Sequence, residues 1–343
     1  MKIINIRNFK KIYLFGLIFI FLCLPVVGKV TKVEVTKSES YKGGKSFGDI
    51  GAYLKISGLV YGEVDPFDQF NDVIQDITLA PKNNRGMVEY VSDFIMLCPV
   101  EKSKGNGLLF LSLPNRGNPF PSDESLLKRG YTYLWCGWQG DVLPGDGRLT
   151  AKVPVATDNG EEIIGWLRTE YGVTQNIRTL NLSSSAYSGL THHSYETVSL
   201  DNKGLSLTRR VRETDPKIVI PNKEWAFSDC SSIPFPGKPS TTQISVKGGF
   251  DPNYIYELVY CVKNPLVLGL GFAAIRDMAS FVKYDVRDTD DFGQHVPVFK
   301  AAIMQGISQC SNFTRTFVAL GFNNDEKNRK VFDGINAHVG PRR

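Results

Sequence analysis

Gly306-Ile307-Ser308-Gln309-Cys310 is the stretch whose residue types and spacing could carry chemistry. A serine hydroxyl can attack a carbonyl carbon. Small residues two before and two after it let the chain turn tightly without Cβ clashes. Apolar residues lead in from position 301, and Phe313, Phe317 and Leu320 follow at helical spacing. The pattern predicts a strand, a sharp turn and a helix. Ser308 would then stand clear as a nucleophile, with Gly306 and Cys310 as the small flanks of the elbow. The backbone N–H of Gln309 and the helix dipole would face an oxyanion forming on the substrate. The same five residues also describe an ordinary serine capping a helix, since small-x-Ser-x-small recurs by chance.

A serine in such a turn has to be positioned by a sheet and its loops. Residues 108–113 and 131–136 are continuous apolar runs, as expected of strands buried on both faces. The first ends in Pro114-Asn115-Arg116-Gly117-Asn118. The second ends in Gly137-Trp138-Gln139-Gly140-Asp141, with Pro144-Gly145-Asp146-Gly147-Arg148 close behind. In an open α/β sheet the loops at the carboxyl ends of the strands form the site, so these loops are expected to face Ser308. Residues 30–103 read mainly as strands, an N-terminal β layer. Residues from about 150 to 250 read as an inserted cap, β-rich or irregular. Residues 269–284 carry a helical apolar stripe of Leu270, Ala274, Ile275, Met278, Phe281 and Val282, with Arg276 and Asp277 outside it. Residues 331–339 predict one more strand.

The chain has 343 residues, 42% hydrophobic and 11% aromatic, enough for a large core. Residues 1–28 read as a secretory signal: Lys2, Arg7, Lys10 and Lys11 precede the apolar stretch 12–24, and Val26-Val27-Gly28 offers a cleavage point. That leaves one domain, 29–343, secreted or periplasmic and without stable membrane insertion. The alternative is an uncleaved anchor, because the apolar run through Gly28 reaches 17 residues. The signal holds four of the 40 Lys and Arg, so the remainder carries 36 basic against 35 acidic residues. Nucleic-acid binding thereby loses its main support, a basic surface, and no nucleic-acid partner is expected. Cys98, Cys136, Cys230, Cys261 and Cys310 are far apart with no C-x-x-C pair, and His192-His193 lacks a third ligand at ligand spacing. No metal and no cofactor are expected.

Taken in order, these blocks resemble the α/β-hydrolase domain family of the serine hydrolase superfamily, whose members include a long β-rich N-terminal part. The blocks are Pro114-Asn115-Arg116-Gly117, Gly137-Trp138-Gln139-Gly140-Asp141, Pro144-Gly145-Asp146-Gly147-Arg148-Leu149, Gly269-Leu270-Gly271-Phe272-Ala273-Ala274-Ile275-Arg276-Asp277, Gly306-Ile307-Ser308-Gln309, Leu320-Gly321-Phe322-Asn323 and Val331-Phe332-Asp333-Gly334. The resemblance implies an α/β fold with a mostly parallel sheet flanked by helices, a β-rich N-terminal layer and an inserted cap. It implies Ser308 as nucleophile and the loop of Asn115, Arg116 and Gly117 near the oxyanion. It also implies hydrolysis of a small-molecule carboxylic ester through an acyl-enzyme. Two features depart from the family. Cys310-Ser311-Asn312 stands where it reads Ser-Gly-Arg. The acid and histidine should follow the serine, yet only 35 residues do so, with Asp325, Glu326, Asp333 and one histidine, His338. The expectation is therefore a chain truncated before its last strands, catalytic acid and histidine, and impaired as a hydrolase. The alternative is a non-catalytic exported binding protein on the same scaffold.

Overall fold

Alternating apolar residues in the first third of the chain give three long strands, β1 (Lys29–Ser40), β2 (Tyr53–Val64) and β3 (Val88–Pro99), joined as an antiparallel ladder. The computed structural model describes residues 29–183, 191–287 and 292–340; the signal-like segment 1–28 lies outside them. The two continuous apolar runs form β4 (Leu108–Ser112) and β5 (Thr132–Cys136). Three further strands complete the sheet: β6 (Ala151–Lys152), β7 (Ala301–Ile307) and β8 (Gly334–His338). The order is β1-β2-β3-β5-β4-β7-β8, with β6 paired to β3. Pairs β5–β4, β4–β7 and β7–β8 are parallel, while β3–β5 is antiparallel. The sheet is mixed.

Its two faces are covered differently. Leu109, Leu111, Ala302 and Met304 share one core with Ile275 and Met278 of helix α2 (Leu270–Ser280) and Phe313 and Phe317 of helix α3 (Gln309–Ala319). Phe272 stacks on Phe313 at 4.4 Å between ring centres, locking the two helices together. The intervening residues face the other way: Phe110, Tyr133 and Trp135 join Phe47, Tyr53 and Leu127. Among the described residues, the only α-helix contributing to that second core is α1 (Glu124–Leu127), a single turn started by Asp123, whose carboxylate accepts from the Ser125 N–H. Aromatic rings do there what a layer of helices would do in an α/β protein.

Residues 157–264 leave and rejoin this core side by side, because the Ala156 N–H donates to Pro265 O at 2.9 Å and the Val267 N–H to Pro154 O at 3.0 Å. Within the excursion lie small antiparallel sheets. One has four strands, including Ile164–Tyr171, Ser206–Arg210 and Ile255–Lys263, and another has three, around Gln243–Phe250. Tyr171, Trp225, Phe250, Tyr256, Leu258 and Tyr260 give the excursion a core of its own.

These findings overturn the expected fold. The protein is mostly β, 39% strand and 17% helical, with three helices and several small antiparallel sheets among the described residues. A mostly parallel sheet flanked by helices is not what the chain forms, and the resemblance to the α/β-hydrolase family does not hold. The physical reason lies in the patterning: the N-terminal strands alternate and pair as neighbours, and the second face of the sheet is covered by rings. Among the described residues no helix is long and apolar enough to cross a membrane.

Arg276 and Asp277, which periodicity places off the apolar stripe of α2, are buried, Arg276 completely. The Arg276 guanidinium meets Asp277 at 2.7 Å, Glu326 at 3.4 Å and Asn71 Oδ1 at 2.8 Å, and the Tyr90 hydroxyl donates to Asp277 at 3.0 Å. The group ties β3, α2, the loop before β3 and the segment after α3. Arg276→Met should cost about 3–5 kcal/mol of unfolding free energy in urea titrations, because it strands buried carboxylates. A second, more exposed cluster forms beside it. Arg329 holds Asp285 through two bonds of 2.9 and 2.8 Å and Asp325 through one of 2.8 Å. Hydrogen bonding to Arg329 lowers the Asp285 pKa. Burial pushes Asp325 up, but Ser280 and Arg329 outweigh it, and its net shift is also downward. Both carboxylates therefore stabilise the fold above their unfolded values of about 3.9, and that stabilisation is lost as pH falls through their lower folded values. Acid titration of Arg329→Met should show a shallower loss of stability over that window than the parent chain.

Candidate active site

The chain leaves β7 at Ile307 and enters α3 at Gln309, so the whole change of direction falls on Ser308. Its backbone sits at φ 58° and ψ −118°, a region that residues bearing a Cβ avoid at a cost of roughly 1–3 kcal/mol. The Ser308 N–H donates to His338 O at 3.0 Å, and its carbonyl accepts from the Ser311 N–H at 3.0 Å. The side chain makes no cap hydrogen bond to the helix, and the residue is exposed. Ordinary helix capping is therefore not what the hydroxyl does.

Gly306 makes the bend possible. A Cβ there would lie 2.1 Å from Cys310 O and 2.2 Å from Thr314 Oγ1. The strand end and the first turn of α3 are thus in backbone contact. Cys310 is buried, its thiol donates to Pro114 O at 3.4 Å, and burial pushes its pKa up to about 12. It is a protonated packing group at neutral pH, not a thiolate.

Pro114 O also accepts from Trp138 Nε1 at 2.9 Å, and the Trp138 ring packs on Phe313 at 4.6 Å. One carbonyl thus brings the loops after β4 and β5 against the elbow helix. Beyond it, Asn115 and Asn118 exchange backbone hydrogen bonds of 2.9 and 3.0 Å. Inside that turn Arg116 and Gly117 are left-handed, at φ 49° and 78°. Among the described residues, the N–H groups of Arg116 and Gly117 donate to no protein acceptor. The Gln309 N–H, first in α3, has no intrahelical acceptor. The expected oxyanion residues are therefore placed on two touching elements and carry uncommitted donors.

The histidines are elsewhere. His192 Nδ1 lies 2.8 Å from Thr191 Oγ1, and its Nε2 lies 3.4 Å from Gln139 Nε2. The His193 N–H donates to Asp141 O at 2.7 Å. His295 closes the turn Gly293–His295, and His338 meets Ser308 through its main chain. Among the described residues none hydrogen-bonds the Ser308 hydroxyl. The carboxylates after the serine are engaged in the fold: Asp325 with Ser280 and Arg329, Glu326 with Arg276 and Asn71, Asp333 with Lys283 Nζ at 2.8 Å and the Ala302 N–H at 2.9 Å. The Gln139–His192 pair, which joins the loop after β5 to the inserted region, was not legible in the sequence, since its members are 53 positions apart. Among the described residues no three His, Cys, Asp or Glu side chains converge as metal ligands.

The chain matches no known family model, and no curated protein or solved structure matches it. The site is carried by its geometry.

Two substitutions read out the strain at the elbow. Ser308→Gly should raise stability by about 1 kcal/mol or more in thermal or urea unfolding, because glycine accepts this backbone without penalty. Gly306→Ala should lower it by at least about 2 kcal/mol, because the new methyl meets backbone, which cannot move aside.

Proposed function

We propose that this chain is an exported serine hydrolase acting on small carboxylic esters. Ser308 Oγ attacks the carbonyl carbon, and the bond to the leaving alcohol oxygen breaks. The serine proton ends on that alcohol. Water then attacks the acyl-enzyme, releases the acid and returns a proton to Ser308. The amides of Gln309 and of the Arg116-Gly117 turn are the donors available for the negative oxygen. No cofactor enters the step, and nucleic acid has no part in it. The observation that carries this reading is the backbone of Ser308: a strained, exposed serine between strand and helix whose hydroxyl caps nothing. Strain of this kind persists where function holds it.

Without a histidine on the serine, oxyanion donors and binding alone sustain about 10³–10⁴-fold over water. Slow acylation is the consequence. A fluorophosphonate probe should modify Ser308, located by peptide mass spectrometry, and Ser308→Ala should remove the adduct. The labelling rate should rise with pH through 6–9 without the plateau that a histidine base, with its pKa of about 6.5, would impose. A folded chain that stays unlabelled would favour the second reading, a non-catalytic binding protein, to which the engagement of Asp325, Glu326 and Asp333 in the fold already points.

A further inference from the structure

Arg116 is the residue at the elbow whose chemistry the proposed acylation step leaves unused. Its guanidinium makes one hydrogen bond, from Nη1 to Asn115 Oδ1 at 3.2 Å. Among the described residues no carboxylate lies within ion-pair distance of it, whereas Arg148 on the neighbouring loop is paired with Asp146. A guanidinium offers five N–H donors, so most of the capacity of Arg116 is unspent. The side chain is half-buried, in a turn whose base at Pro114 is held by Trp138, which itself packs on Phe313. A cation partly withdrawn from water attracts an anion more strongly than a fully exposed one.

Its position relative to the nucleophile follows from the contacts already described. Arg116 is two residues from Pro114, whose carbonyl touches the Cys310 thiol, and Cys310 is two residues from Ser308. The charge of Arg116 reaches that thiol: burial pushes the Cys310 pKa up, and Arg116 opposes the push. Both Arg116 and Ser308 are non-glycine residues held at positive φ, 49° and 58°, on elements in direct contact. Gln309, next to the nucleophile, also has a buried side-chain oxygen with no partner. Unspent polar capacity and backbone strain thus coincide at one place.

Resting on the reading of Ser308 as an acylated serine, we infer that Arg116 is a specificity residue that binds a carboxylate on the substrate, so that the preferred esters are those of dicarboxylic acids, hydrolysed at one end and held by the other. The planar fork of arginine matches a carboxylate through two parallel hydrogen bonds. A free carboxylate a few bonds from the ester carbonyl is the group that would meet it. A neutral acyl chain of the same length leaves the guanidinium unsatisfied.

The test compares 4-nitrophenyl hemisuccinate with 4-nitrophenyl butyrate on the full chain, as single-turnover acylation rates. The parent should favour the hemisuccinate by about tenfold or more, the usual worth of a charged hydrogen-bonded pair. Arg116→Met should bring that ratio close to one, and Arg116→Lys should restore part of it. Separately, succinate binding to Ser308→Ala, which cannot be acylated, is followed by calorimetry and should disappear in the Ser308→Ala/Arg116→Met double variant, with circular dichroism confirming that both are folded. A chain that is labelled by fluorophosphonate but shows neither hemisuccinate preference nor succinate binding overturns the role of Arg116 and leaves the hydrolase reading standing. Arg116-dependent succinate binding without acylation of either ester does the reverse. Loss of the preference in Arg116→Lys as complete as in Arg116→Met, with binding unchanged in both, also overturns the assignment.

Discussion

The rest of the site depends on the backbone contact between Gly306 and Cys310. The end of a strand and the first turn of a helix lie against each other with no room for a single methyl group. Once that contact is made, the chain between them has one residue in which to reverse, and Ser308 takes the strained conformation because its neighbours leave no other. The packing of α3 then reaches outward. Phe313 fixes Phe272 of α2 and the ring of Trp138, and Cys310 and Trp138 together hold the Pro114 carbonyl. The Asn115–Gly117 loop sits where it does because a strand, a helix and two loops meet at that carbonyl.

Strain at one residue persists only where its surroundings are stiff. The Arg276 cluster supplies part of that stiffness one turn further along α2, joining β3 through Tyr90, the early loop through Asn71 and the segment after α3 through Glu326. It sits in the same helix layer as the elbow, so the helix that supports Phe313 is itself anchored by buried charge. The sheet edges show a related division of labour. β1 carries Lys29, Lys32, Glu34, Lys37 and Glu39 and two irregularities in register, features that keep an edge from pairing with other strands. β8 has no charged residue of that kind, and its His338 carbonyl holds the amide of Ser308.

Much of this was legible in the sequence, but unevenly. The runs at 108–113 and 131–136 announced buried parallel strands because a strand covered on both faces has no polar side to show. The turn at Ser308 was legible because glycine, a small residue and the switch from strand to helix spacing coincide within five positions. The layering was not. Whether a sheet face is covered by helices or by rings depends on partners far away in the chain, and Phe47, Tyr53, Phe110 and Tyr133 look alike in either setting. Arg276 misled for a related reason: a charged residue off the apolar stripe is ordinarily solvated, and its burial required Asp277, Glu326 and Asn71 to converge from three segments. The inserted region was recognisable as different, but its small sheets follow from pairings between strands far apart in the chain, as in Ile164 opposite Lys263, 99 positions away.

The distribution of charge around Ser308 narrows the chemistry more than the serine itself does. A nucleophile needs a proton acceptor, and the carboxylates nearest in the chain are already bonded to arginine, lysine, serine or backbone amides. Releasing any of them to serve a histidine would remove a support of the fold, so they are structural groups here. What the site retains is on the electrophilic side: amide donors at Gln309 and in the Arg116-Gly117 turn, and a guanidinium that is not neutralised. An arrangement rich in donors and poor in bases stabilises negative charge better than it generates a nucleophile. On the proposed reading, binding of an anionic substrate is then the stronger half of the chemistry, and acylation the slower half.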